Sequence, residues 1–358
     1  MARTMLLIGT RKGAFLLESE NRRDWELRGP LCESWPVYHA IHDAGTGALY
    51  AAAASEWHGS AVWRSTDLGE TWALSSEGIG YDDDDPRKVS KVSSLAVRNG
   101  SVLVGVEAPG IFESKDGGET WSLLTTLAGQ PGSELWDDPA NQPPGHLGIS
   151  ALMTDDADAE HFWTIVQGVG IFETDDGGSS WTPRNKGLRA DWPRPHEEVG
   201  FCVHRLVRSP SDPTRMYQQN HVGVHRSDDA GNSWTEITDG LPSEFGFAAA
   251  VHPHDRDTFY VIPLDPGHAR CMPEGEAAVW RTRNAGESWE KLTSGLPQDH
   301  AHLGVLRAAM AIDRDEIPGL YFGTSTGQLF ASADEGDTWS EIADHLPPIW
   351  SVEVATVE

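Results

Sequence analysis

Cysteine is scarce in this chain. Cys32, Cys202 and Cys271 are the only three in 358 residues, far apart and without a CxxC pair. This excludes the dense disulfide framework of a small secreted fold and points to a reducing compartment. Long apolar runs are missing too. The run Met5 to Ile8 near the N-terminus is too short for the hydrophobic region of a signal peptide, and no segment approaches the roughly 18 apolar residues of a membrane-spanning helix. The expectation is a soluble cytoplasmic protein. Positive charge is in short supply, with 27 basic against 55 acidic residues and a net charge of -28. Such a surface repels nucleic acid and anionic membranes, so neither is expected as a partner.

What the chain has in quantity is tryptophan, 15 residues within a hydrophobic content of 39%, enough for a large packed core. Many of these tryptophans end a repeated octet. STDLGETW ends at Trp72, SKDGGETW at Trp121, TDDGGSSW at Trp181, SDDAGNSW at Trp234, TRNAGESW at Trp289 and SADEGDTW at Trp339, while SENRRDW, ending at Trp25, is a worn further copy. Successive tryptophans are 47, 49, 60, 53, 55 and 50 residues apart, the period of propeller blades. An array of this length is expected to form one closed body rather than two average domains.

Within each repeat the apolar segments are short and lie between Gly, Asp and Ser turns. YHAIHDA, ALYAAAA, AVWRS and TWALSS around Trp72 predict a four-stranded meander, strands A to D, and no sustained 3.6-residue period predicts much helix. The first copy begins directly at MLLIGT and lacks an innermost strand, whereas the last copy is followed by a surplus segment, Ile349 to Glu358. Completing the first sheet with that segment would remove the open edges. The predicted fold is all-β, a single seven-bladed β-propeller over residues 1–358 closed by the C-terminal strand.

The octets resemble the BNR or Asp-box repeat, roughly S/T-x-D-x-G-x-T/S-W, of sialidases, xyloglucan-cleaving glycosidases, sortilin-type receptors and photosystem assembly factors. The resemblance covers essentially the whole chain and extends to the bacterial single-propeller proteins called sialidase-like or glycosyl-hydrolase-like. It implies fold more strongly than activity. The box itself reads as architecture: Gly118 for an unusual backbone conformation, Asp116 for turn amides, and Trp121 for a buried ring at the start of strand D. Because every box is a C–D turn, the D–A links and B–C turns lie together on the opposite face, where the long loops Leu127 to His146, Asn185 to Glu198 and Leu264 to Glu276 also fall. Long loops on one face of a repeat fold are binding devices.

On that face lie nine of the 15 histidines, and the candidate residues sort by chemistry. Carboxylates eligible as the acid and the base or nucleophile of a glycosidase are Glu56, Glu107, Glu197 and Asp265, with Arg307 beside them. Imidazoles at or near the starts of inner strands, His39, His146, His204 and His302, form a candidate set for a divalent transition metal. Arg11, His58, Trp136, Gln167, Asn220 and His221 are candidates for holding a polar or anionic ligand. His252 and His254 in VHPHD fall in an A–B turn on the box face and read as structural. A sialidase would need an FRIP-like motif, and no RIP occurs; Tyr50, Tyr217, Tyr260 and Tyr321 recur at one B-strand position and read as core. The xyloglucan enzymes place two propellers around a cleft, and this chain has length for one. The leading expectation is a hydrolase-like, glycosidase-like or metal-assisted enzyme acting on a small polar or sugar-like ligand at the loop-rich face. The other is a non-catalytic scaffold binding a protein or glycan there.

Overall fold

The computed structural model describes residues 2–55, 57–127, 129–130, 133, 147–190, 199–267 and 270–358. They form seven four-stranded antiparallel sheets. The inner strands A, from blade 1 to blade 7, are Ile349–Val357, Val37–His42, Lys91–Arg98, Ile149–Thr154, Val203–Arg208, Gly246–Val251 and Met310–Ile312. Each inner strand touches the next, and that of blade 7 touches that of blade 1, so the sheets close into a ring. Among the described residues helix is limited to short 3-10 turns such as Cys32–Ser34 and Pro273–Gly275, and no helix is long and apolar enough to cross a membrane.

Closure is made as the chain ends foretell. The C-terminal strand pairs antiparallel with Arg3–Thr10, from Val357 opposite Arg3 to Ser351 opposite Gly9, and becomes the inner strand of blade 1. First and last segments thus share one sheet, and the inner ladder of blade 1 is not left as an exposed edge to template aggregation. Between blades the core is continuous: Trp163, Ile165 and Ile171 of blade 4 pack on Val203, Leu206 and Met216 of blade 5. Burying a side chain of that size contributes about 1.5–3 kcal/mol.

The boxes are structural, as their composition implies. The Ser114 hydroxyl donates to Asp116 and accepts from the Gly118 amide, while Asp116 accepts from both the amide and the hydroxyl of Thr120. The same bonds recur at Asp67, Asp176, Asp229 and Asp334. Asn284 substitutes by accepting from the Ser288 amide and donating to its hydroxyl. In the worn first copy Asn21 takes the aspartate's place and accepts from Ser19, Arg23 and Asp24. The box tryptophans then staple neighbouring blades: the Trp121, Trp234 and Trp289 indoles donate to Ser75, to the Arg184 carbonyl and to the Ile237 carbonyl of the preceding blade.

Candidate functional site

The loop-rich face owes its chemistry to one repeated irregularity. In six of the seven blades the pairing of strand A with strand B slips near the same end, the end opposite the boxes. One extra residue of strand A is left unpaired there, and such bulges re-aim side chains at rims. The extra residues are Trp350, Tyr38, Ser93, Ser150, His204 and, beside Ala248, Phe247 in blades 1 to 6. They encircle the mouth of the central opening.

Blades 5 to 7 contribute its polar half. His204 is buried and its Nδ1 donates to the Gly246 carbonyl at 2.6 Å, leaving Nε2 3.5 Å from Cys202 Sγ. The ligand atoms of Cys202, His204 and His221 all lie within 4.8 Å of one another. Burial, reinforced by Arg307, holds His204 neutral, well below its ordinary pKa; His221 is shifted down by burial and by Arg270 and Arg307. The Arg307 guanidinium lies 5.0 Å from the Phe247 ring and within hydrogen-bonding reach of Cys202. Arg270 lies 5.5 Å over the same ring.

Below the mouth, Arg205 acts on two further groups. Burial and the Arg205 charge push His39 down to about 3, and burial lifts Glu353 to about 7 against the pull of Arg205 and Arg314. Blade 5 neighbours neither blade 1 nor blade 2 in a seven-membered ring, so Arg205 acts on both across the central opening. Among the described residues Arg205, Arg270 and Arg307 have no carboxylate within ion-pair distance, and Nε of Arg205 and of Arg307 is buried without a hydrogen bond. Elsewhere Arg98, Arg208, Arg215 and Arg281 are all ion-paired. In a protein with 55 acidic residues, guanidinium groups with no ion-paired carboxylate among the described residues favour an anionic group at the mouth.

Blades 1 to 3 contribute its aromatic half. Tyr38 and Trp350 stack at 4.5 Å, Lys91 Nζ lies 4.9 Å over Tyr38, and Lys91 is ion-paired with Glu107. Close by, His58 is exposed and stacks on Trp35 at 5.4 Å. Arg11 is exposed in the first B–C turn, and Gln167 is half-buried with its amide bonded to the Gly148 carbonyl.

The predicted carboxylate pair is not assembled among the described residues. Glu107 belongs to blade 3 and is held by Lys91, while Asp265 stands in the blade 6 turn, its amide bonded to the Cys271 carbonyl. Of the four-histidine set, the three described members are not brought together either. The bulge of blade 2 falls on Tyr38, so His39, one residue later, turns to accept the Leu95 amide of blade 3. His302 is exposed beside Gly275. Asn220 is fully buried, and its Oδ1 accepts the His221 amide and so braces the turn. Glu56, Trp136, His146 and Glu197 lie outside the described residues.

The box-face residues behave as their placement implies. His252 Nδ1 accepts the amides of His254 and Asp255 in its turn, and Tyr50, Tyr217 and Tyr321 hydroxyls are bonded within the core. Sequence reasoning missed Cys202, Arg205, Phe247 and Glu353. The one signal for the first two was the run Cys202 to Arg205 at the head of an inner strand; a lone Glu in the closing strand carried none.

Fold and repeat together make the chain a seven-bladed β-propeller of the BNR/Asp-box repeat kind. The BNR/Asp-box repeat family matches at residues 112–123. A xyloglucanase of Paenibacillus sp is 24% identical over 87% of this chain and 32% of its own length. Among solved structures, the GH74 enzyme of Niastella koreensis superposes with a TM-score of 0.64 at 19% identity, covering 94% of this chain and 51% of that one. The protein YCF48 bound to D1 peptide gives 0.56 at 16% identity over 86% of this chain. The chain spans about a third of the length of the curated relatives it matches.

Proposed function

We propose that this propeller is a glycoside-hydrolase-like protein that takes a small sugar-like ligand bearing an acidic group at the mouth of its central opening. The observation that carries the reading is the pair Arg270 and Arg307, with no carboxylate within ion-pair distance among the described residues, on the half of the mouth opposite the stacked Tyr38 and Trp350. An aromatic surface suits the apolar face of a sugar ring, and guanidinium suits a carboxylate. The similarity to xyloglucanases supports a carbohydrate ligand. Glu353, poised near neutrality below the mouth, is the described carboxyl best suited to exchange a proton there.

Isothermal titration of the intact protein with uronic-acid and neutral oligosaccharides tests this. The uronic acids are expected to bind and the neutral sugars to bind at least about tenfold more weakly, since a hydrogen bond to a charged group contributes roughly 1.5–3 kcal/mol. Arg307→Ala should remove most of the difference. Equal affinity for both classes, or none for either, sinks the reading.

A further inference from the structure

We infer that Cys202, His204 and His221 form a transition-metal site of the zinc type at the channel mouth, with an open coordination position faced by Arg270 and Arg307. The inference goes beyond the sugar reading and stands or falls without it.

The three ligands come from one rigid corner of blade 5. His204 is the bulged residue of strand A, Cys202 lies two positions before it, and His221 follows the end of strand B, its amide bonded to the Cys202 carbonyl at 2.9 Å. Pre-organisation of this kind leaves little to be ordered on binding. The tautomer is also fixed. Because His204 Nδ1 donates to the Gly246 carbonyl, its Nε2 carries the lone pair, and that lone pair looks toward the sulfur. A backbone carbonyl holding the far nitrogen is the usual outer support of a metal-binding histidine.

The spacing agrees with coordination. Zinc bonded to sulfur at about 2.3 Å and to nitrogen at about 2.05 Å with a tetrahedral angle separates the two ligand atoms by roughly 3.5 Å, and Sγ and Nε2 are 3.5 Å apart. His221 lies within 4.8 Å of both, so it needs to approach by at most about 1.4 Å to reach a comparable separation. One thiolate and two imidazoles select zinc, cobalt or copper over magnesium or calcium. Two guanidiniums beside a dication demand a counter-charge. The thiolate provides part of it, and the remainder assigns the open position to an anionic ligand, a carboxylate or hydroxide.

The test is metal binding by full-length protein without a polyhistidine tag. Elemental analysis after dialysis against zinc, and absorption spectra on cobalt addition, should give one metal per chain, with a thiolate-to-cobalt charge-transfer band and strong visible bands of a four-coordinate centre. Cys202→Ser should abolish the charge-transfer band, and His221→Ala should weaken affinity at least about a hundredfold, more than loss of an outer-shell partner does. His302→Ala, which removes an exposed imidazole outside the set, should change nothing. Circular dichroism establishes that each variant is folded; if Cys202→Ser does not fold, His221→Ala at its half-buried turn carries the test. Wild-type protein that takes up no stoichiometric metal, or folded variants that bind it as tightly as wild type, overturn the site.

Discussion

At the scale of single residues, the same residue type serves opposite purposes according to what surrounds it. Asp67 and Asp176 are held down to about 2 by the hydroxyls and amides that they bind in their own turns, and a carboxylate so committed is architecture. Glu353 is raised to about 7 by burial at the channel wall. The folded state therefore holds its proton between about pH 4.5 and 7 while the unfolded chain does not, so its contribution to stability is complete below the lower value and lost as pH rises through the upper one. Glu353→Gln should accordingly gain stability at pH 8 relative to pH 5, by at most about 3 kcal/mol, measured as urea midpoints at both pH values; parallel shifts at the two would refute the assignment. Gly118 is a second residue whose role is decided by contact. Its φ is +85°, and an added Cβ would meet Tyr50 Cε1 of the preceding blade at 2.9 Å. Gly118→Ala should cost about 1–3 kcal/mol, read from chemical denaturation, with circular dichroism unchanged.

At the scale of elements, the closing strand and the bulges divide the labour between stability and chemistry. The closing strand contributes Ile349, Val352, Ala355 and Val357 to the core and pairs along the whole of Arg3–Thr10. A chain ending before Ile349 should lose its single cooperative thermal transition and elute as aggregate on size exclusion, because the unpaired edge of Arg3–Thr10 and a wedge of core would face water. A monomeric, cooperatively melting truncation would show that the ring does not depend on this closure. The bulges do the opposite job. They give up ladder bonds near one end of six inner strands and thereby turn His204, Tyr38 and Trp350 toward the mouth. The same slip explains why His39 and His204, both near the heads of inner strands, differ in use: one is bulged and the other is one step past the bulge.

At the scale of the whole molecule, the balance of charge and buried imidazole sets the response to acid. His39 is pushed down to about 3 and His225 to about 4, chiefly by burial, and His204 lies well below its ordinary value. Each is neutral in the fold and takes up a proton on unfolding below about pH 6.5, so each makes stability fall as pH drops from there toward its folded value. Glu353 acts with the opposite sign over an overlapping range, but it is one group against three. The melting temperature should therefore decline from pH 7 to pH 4, and more steeply in Glu353→Gln; a flat profile would mean that these imidazoles are not held neutral. The net charge of -28 works against anionic ligands at long range and is screened by salt, whereas the arginines at the mouth attract them at short range.

The sequence by itself determined the architecture. Octets at blade-length intervals fix the number of blades, the missing first strand and surplus last one fix the closure, and the box fixes which face is structural, because each depends on local hydrogen bonding and periodicity that a linear chain displays. It also directed attention to the loop-rich face and to His204, His221 and Arg307, which the structure places near one another. What only the tertiary structure decided is which of those residues meet. Cys202 looked like a stray thiol and Arg205 and Glu353 like ordinary strand residues, because their partners lie across a bulge, across a turn or across the channel. A one-residue slip in a β-ladder leaves no periodic mark in the sequence, yet it redirects the side chains that define the mouth.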